Sequence, residues 1–178
     1  MYTTVSLLRE QLQQAHQFLE GTMVGVTPEQ AHWVPPGNAH PLGATYVHAV
    51  MAEDIVINVA LKGEAPLFAT TWAAKTGFSE PMPMPGPEWQ EYAQWTRRVH
   101  VDLSGMQAYT QAVYAATEAY LSSLTPEDLD QTVDLSNIGI GQVTRAWVFS
   151  RLVIGHADNI CGEISCLKGL QGAQGYPI

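Results

Sequence analysis

Two of the six histidines stand where side-chain chemistry is possible, both on predicted helices and both facing inward. His156 shares a helical face with Phe149, Leu152, Val153, Ile160, Ile164 and Leu167, at steps of three, four, seven, eight and eleven residues. His48 shares a second helix face with Ala44, Thr45, Ala52, Ile55 and Val59, which are small and mostly apolar. An imidazole on such a face must find a partner or incur a desolvation cost of about 1–3 kcal/mol. Two inward histidines on different helices of one bundle can meet, and a shared metal ion would satisfy both, since neutral imidazole suits Zn, Ni, Fe or Cu. The competing reading is a hydrogen-bonded core histidine, and a catalytic zinc site needs three protein ligands plus an open position.

The other four histidines read as solvated. His16 lies with Gln13 and Gln17 on the polar side of the first helix, and His32, His40 and His100 fall in loops or at element ends. His40 precedes His48 by eight residues, about 12 Å along an unbroken helix, too far to share an ion with it. Pro41 can bend the chain, so His40 stays an outside candidate. No Ser-His-Asp ordering, Gly-rich phosphate loop or Cys-x2-Cys pair supports other chemistry, and Gly139-Ile-Gly141 has no preceding strand for a nucleotide fingerprint. Cys161 and Cys166, five apart on one helix and so about 140° apart around its axis, cannot pair. Both read as small buried hydrophobes, and unpaired thiols fit a reducing cytoplasm.

Four long helical patterns must position these groups. They run over about residues 4–21, 41–61, 104–123 and 142–168, the last with Gly169 as its expected stop. The segment Thr132-Val-Asp-Leu135 is too short to carry a sheet, so the fold class is all-α, a four-helix bundle. Thr27-Pro-Glu-Gln30 and Thr125-Pro-Glu-Asp128 each read as a threonine N-cap followed by proline at the first helical position. The layout of helix, capped turn and histidine-bearing helix is thus used twice. A long Pro-rich crossover lies between helices two and three, including Ser79-Glu-Pro-Met-Pro-Met-Pro-Gly-Pro-Glu88. Its length lets those helices run parallel. Trp72, Phe78, Met82, Met84, Trp89 and Trp95 are suited to packing on the bundle. Gly155 and Gly162, one heptad apart, suit close helix packing.

Residues 1–178 make one domain of sufficient size for a single core. A net charge of −9 with eight Lys and Arg argues against nucleic acid and against an anionic membrane surface. No secretory signal and no uncharged apolar run of membrane-spanning length is visible. Charged residues at 14% leave much helix surface to be covered, consistent with a homodimer.

The tract His156-x3-Ile160-x-Gly162-Glu-Ile164, continued by Leu167-Lys-Gly-Leu-Gln-Gly172, resembles the last helix of DinB-like (YfiT-type) proteins. Trp33-x-Pro35-Pro-Gly37, Pro41-Leu-Gly and Tyr46-Val-His48 resemble that family's loop and second helix, so the likeness spans nearly the whole chain. The resemblance implies a bundle with a long crossover, usually dimeric, and a divalent metal (nickel, zinc or iron). The metal would be held by one histidine of helix two and a His-x3-His pair of helix four. Better-characterised relatives include thiol-dependent S-transferases and isomerases. Carried over, His48 and His156 match two ligands, and the third position falls on Ile160, which has no donor atom.

Substitutes for the third ligand are weak. Asn159 offers a neutral amide, Glu163 stands about 10 Å along the helix, and Asp158 points elsewhere. The expectation is therefore an incomplete, degenerate metal site, with no metal or a weakly bound divalent ion (Ni, Zn or Fe). The protein would be a non-catalytic bundle that dimerises or holds a small apolar ligand. The alternative is a metal-dependent hydrolase or thiol S-transferase with a rebuilt coordination shell.

Overall fold

The structure, a computed structural model, describes residues 2–83 and 89–177, without the side chain of Trp89. Helix α1 (Thr4–Met23) is followed by the short α2 (Pro28–His32) and by α3 (Leu42–Leu61). After the crossover come α4 (Trp89–Arg98), α5 (Leu103–Ser123) and the short α6 (Pro126–Leu129). A two-stranded antiparallel ribbon, β1 (Thr132–Asp134) and β2 (Gln142–Thr144), leads into α7, residues 145–170.

Two core clusters fix the topology. One holds Leu19 of α1, Tyr46, Val47, Val50 and Met51 of α3, Met106 and Tyr109 of α5 and Ile164 of α7. The other holds Leu8 and Leu12, Ile57 and Leu61, Leu121, and Phe149 and Val153. Helices α1 and α7 therefore begin at the end where α3 and α5 finish, an up-down-down-up bundle. The parallel course expected for α3 and α5 is seen directly: Tyr46 meets Thr110, and Glu53 meets Thr117 one helical stretch further on. The domain is the all-α four-helix bundle that the pattern predicts.

Helix ends follow local chemistry. Thr27 and Thr125 both form reciprocal capping boxes, with Gln30 and Asp128, and a proline follows each. The expected start of the last helix is corrected: Gln142–Thr144 pair as β2 with Thr132–Asp134, and Thr144 caps α7 by accepting from the Trp147 N–H. Its expected stop also moves. The helix runs to Leu170, and the left-handed residue is Gly172.

Both histidine-bearing helices contain a π-helical stretch, Ile55–Leu61 in α3 and Phe149–Ile154 in α7. Hydrogen bonds to the fifth preceding residue widen the turn and rotate the buried stripe. In α3 this brings Ile57, Asn58 and Leu61 inward and leaves Val59 exposed, against the expectation from a straight helix. Gly155 serves the widened turn of its own helix: a Cβ there would stand 3.0 Å from the Ser150 carbonyl oxygen. Gly162 faces the Tyr176 hydroxyl of the C-terminal tail, so neither glycine marks the helix contact expected of it.

The crossover is pinned by Asp54. This fully buried carboxylate accepts from Asn58 Nδ2, the backbone N–H groups of Leu67 and Phe68, and the Tyr109 hydroxyl, at 2.7–3.1 Å. Further along, Gly77 (φ +81°) approaches α5 so closely that a Cβ would lie 2.1 Å from the Met106 nitrogen. Trp72 and Phe78 pack against the first cluster, while Met82 and Trp95 are buried in it, as expected. Met84 and the Trp89 side chain fall outside the described residues.

By length and composition alone α3 could cross a membrane. Here most of it is buried against the other helices, and it carries Glu53 and Asp54.

Replacing Asp54 with Ala strands four donors, and the expected loss is about 3 kcal/mol or more in a denaturant titration. A loss under about 1 kcal/mol would contradict the pinning role. Burial raises Tyr46, Tyr109 and Tyr114, aided by Glu20 beside Tyr46 and Tyr114 and by Asp54 beside Tyr109. Above about pH 10 the unfolded chain loses these protons and the native one keeps them, so stability falls as pH rises. A thermal midpoint that stays flat from about pH 9 to 11 would be the contrary result.

Candidate functional site

His48 sits on the first half of α3, a segment so tightly packed that most of Leu42–Val50 is buried. His156 lies two residues past the π stretch of α7. Their rings meet edge to face, with centroids 4.9 Å apart, planes at 80° and the two Nε2 atoms separated by 3.1 Å. The two sequence-derived candidates are thus brought together.

The proton positions follow from the other partner. His48 Nδ1 lies 2.9 Å from the Met82 sulfur, which can only accept, so Nδ1 carries the proton. His48 Nε2 is then an acceptor, and His156 Nε2–H donates to it. Burial pushes His48 down to about 4, with the neighbouring His156 and His40 adding to the effect. Burial also lowers His156, partly offset by the Glu53 carboxylate. Both rings are neutral near pH 7. Tyr92 of α4 presents its ring edge-on to both His48 (5.6 Å) and His40 (5.1 Å), closing one side of the pair.

The donor set can be tested against a metal. Two nitrogens on a tetrahedral zinc with bonds of about 2.0–2.1 Å stand roughly 3.3 Å apart. The Nε2 separation of 3.1 Å therefore has the bite of a two-point chelate. The third position holds Ile160, one turn beyond His156, only 4% exposed and part of the first core cluster. Asp158, Asn159 and Glu163 are exposed, and His40 is engaged by Thr96 at 3.0 Å. Among the described residues no group of three His, Cys, Asp or Glu side chains is arranged to hold one ion. The residues present do not fit a three-histidine centre.

Three histidines expected to be solvated are not. His16 is buried, bonds Glu53 at 3.0 Å and stacks on Tyr114 at 3.5 Å. Glu53 also accepts from Thr117, at 2.6 Å. Leu12 and Leu19, four before and three after His16, place it at the edge of the apolar stripe, a signal that Gln13 and Gln17 masked. His32 is half-buried with both ring nitrogens used, donating to the Pro28 carbonyl and accepting from the Val101 N–H. His40 is also half-buried, and only His100 is exposed. Met82 and Tyr92 carried no periodic signal, because their positions depend on how the crossover and α4 return to the bundle.

The class defined by this fold and site is an up-down-down-up helical bundle with a neutral imidazole pair joining α3 to α7. A DinB superfamily model matches residues 11–158, and the chain belongs to that superfamily. The chain is also similar to the crystal structure of a conserved protein from Enterococcus faecalis. That likeness has a TM-score of 0.77 and 24% identity, covering 96% of this chain and 98% of that one, and it speaks to the fold alone. No curated protein matches the sequence.

The two thiols differ, which corrects the reading of both as buried: Cys161 is buried and Cys166 exposed. Burial, with Asp158 nearby, pushes Cys161 up to about 11. At pH 8 a thiol reagent should therefore label one cysteine rapidly and the second only on unfolding. Rapid labelling of both in the native state would contradict the packing around Ile160 and Cys161.

Proposed function

We propose that this DinB-like protein is a non-catalytic bundle that has lost the three-histidine metal centre and acts as a homodimer or as a holder of a small apolar ligand. The observation that carries the reading is Ile160. Its aliphatic side chain occupies the position one turn from His156, leaving two imidazoles that satisfy each other by hydrogen bonding. Any nickel, zinc or iron held by this pair alone would bind weakly, with no third protein ligand to set up a reaction. The scarcity of surface charge supports a second copy as partner, the acidic balance disfavours nucleic acid and membranes, and unpaired thiols suit the cytoplasm.

One observation favours a second reading. The Nε2 atoms already converge at chelate distance, the starting point for a divalent-metal-dependent hydrolase or thiol S-transferase with a rebuilt shell. Metal analysis of native and Ile160→His protein after dialysis separates the two. The account predicts that native protein loses nickel, zinc and iron, whereas Ile160→His holds close to one equivalent with affinity at least about a hundredfold higher. Native protein that keeps a stoichiometric ion, lost on His156→Ala, would favour the enzyme.

A further inference from the structure

A small cleft of about 110 Å³ opens between α2, the start of α3 and the C-terminal end of α4. At roughly 30 Å³ per water in the liquid it has room for a few waters or one small polar group. Ala31, Ala44 and Val99 contribute its apolar lining, and Thr96, Arg97 and His100 its polar groups. The cleft is separate from the His48–His156 pair, although both border α4.

Its charge is unusual for this chain. The protein has eight Lys and Arg against seventeen Asp and Glu, yet two adjacent arginines line this one cleft. Arg98 is neutralised by a bidentate pair with Glu80, both bonds 2.8 Å. Arg97 has no carboxylate partner among the described residues. One of its terminal nitrogens donates to the Gly37 carbonyl at 3.0 Å, which orients the guanidinium and leaves its other donors available. Its field reaches His40, whose charged form it disfavours together with burial. His32 is used up at both nitrogens and serves as a platform, with the exposed His100 ring stacked on it at 4.6 Å and 16°. Ser79 holds that residue in place, its N–H donating to the His100 carbonyl and its hydroxyl oxygen accepting from the His100 N–H.

We propose that this cleft is a binding site for a small anionic group, a phosphate or a carboxylate, gripped by the Arg97 guanidinium and the His100 imidazole. A guanidinium held on one side by a carbonyl presents its remaining N–H donors in a fixed fork that matches either anion. The His32 platform keeps the second donor beside it.

Inorganic phosphate and succinate serve as probes, each titrated at constant ionic strength set by chloride, with the His100 ring proton resonances as readout. Saturable shifts at millimolar anion are expected. Arg97→Gln should weaken binding about tenfold or more, and Arg9→Gln, altering an arginine paired with Glu118 elsewhere, should leave it unchanged. Tighter binding of phosphate identifies a phosphate-bearing ligand, and equal or tighter binding of succinate a carboxylate-bearing one. Thermal melts of the exposed Arg97 variant verify that it is folded. The proposal is overturned if neither anion shifts His100 saturably, or if folded Arg97→Gln binds as the native protein does.

Discussion

The hydrogen bond between His48 and His156 is the constraint around which the upper half of the bundle is arranged. It joins α3 to α7 at the level where Ile160, Cys161 and Ile164 are buried, and it fixes the proton on each ring. Once His156 donates, His48 must donate from its opposite nitrogen, and the Met82 sulfur accepts. The crossover is therefore tied to the histidine pair by chemistry as well as by packing. Two neutral rings beside the first core cluster satisfy each other by hydrogen bonding, and the buried Ile160 packs next to them.

The same bundle treats another histidine in the opposite way. His16 on α1 reaches Glu53 on α3, a carboxylate that also takes the Thr117 hydroxyl of α5. Glu20 of α1 collects the hydroxyls of Tyr46 and Tyr114. These polar contacts link three of the four long helices through the interior, and each buried acid has at least two donors. An imidazole beside a carboxylate and an imidazole beside another imidazole differ in electrostatics, and Glu53 acts on both since its field reaches His156. The π-helical stretches lie at the other end of the bundle, where Ile57, Leu61, Phe149 and Val153 form the second cluster. The stretch in α3 follows His48, whereas the stretch in α7 comes just before His156 and so sets the face on which that histidine emerges.

Much of this was legible from residue spacing. The four long helices, both threonine N-caps, the parallel course of α3 and α5, and the inward pair His48 and His156 all follow from local pattern. Local pattern failed where a second element decided the outcome. Val133 and Val143 pair across a ribbon of three residues per strand, too short to announce itself, so the last helix starts later than its periodicity suggests. Val59 turns outward because the helix widens before it. His16 looked solvated between Gln13 and Gln17, and only the arrival of Glu53 from α3 reveals its role. Met82 and Tyr92 approach His48 from the crossover and from α4, and nothing within a few residues of either records that.

The proton arrangement of the histidine pair tests the account most directly. Long-range proton–nitrogen NMR of the protein as purified, near pH 7, reports the state of each imidazole nitrogen. The account predicts two neutral rings, with His48 protonated at Nδ1 and His156 at Nε2. Metal-shifted Nε2 signals on both rings, or a charged ring in the pair, would contradict it.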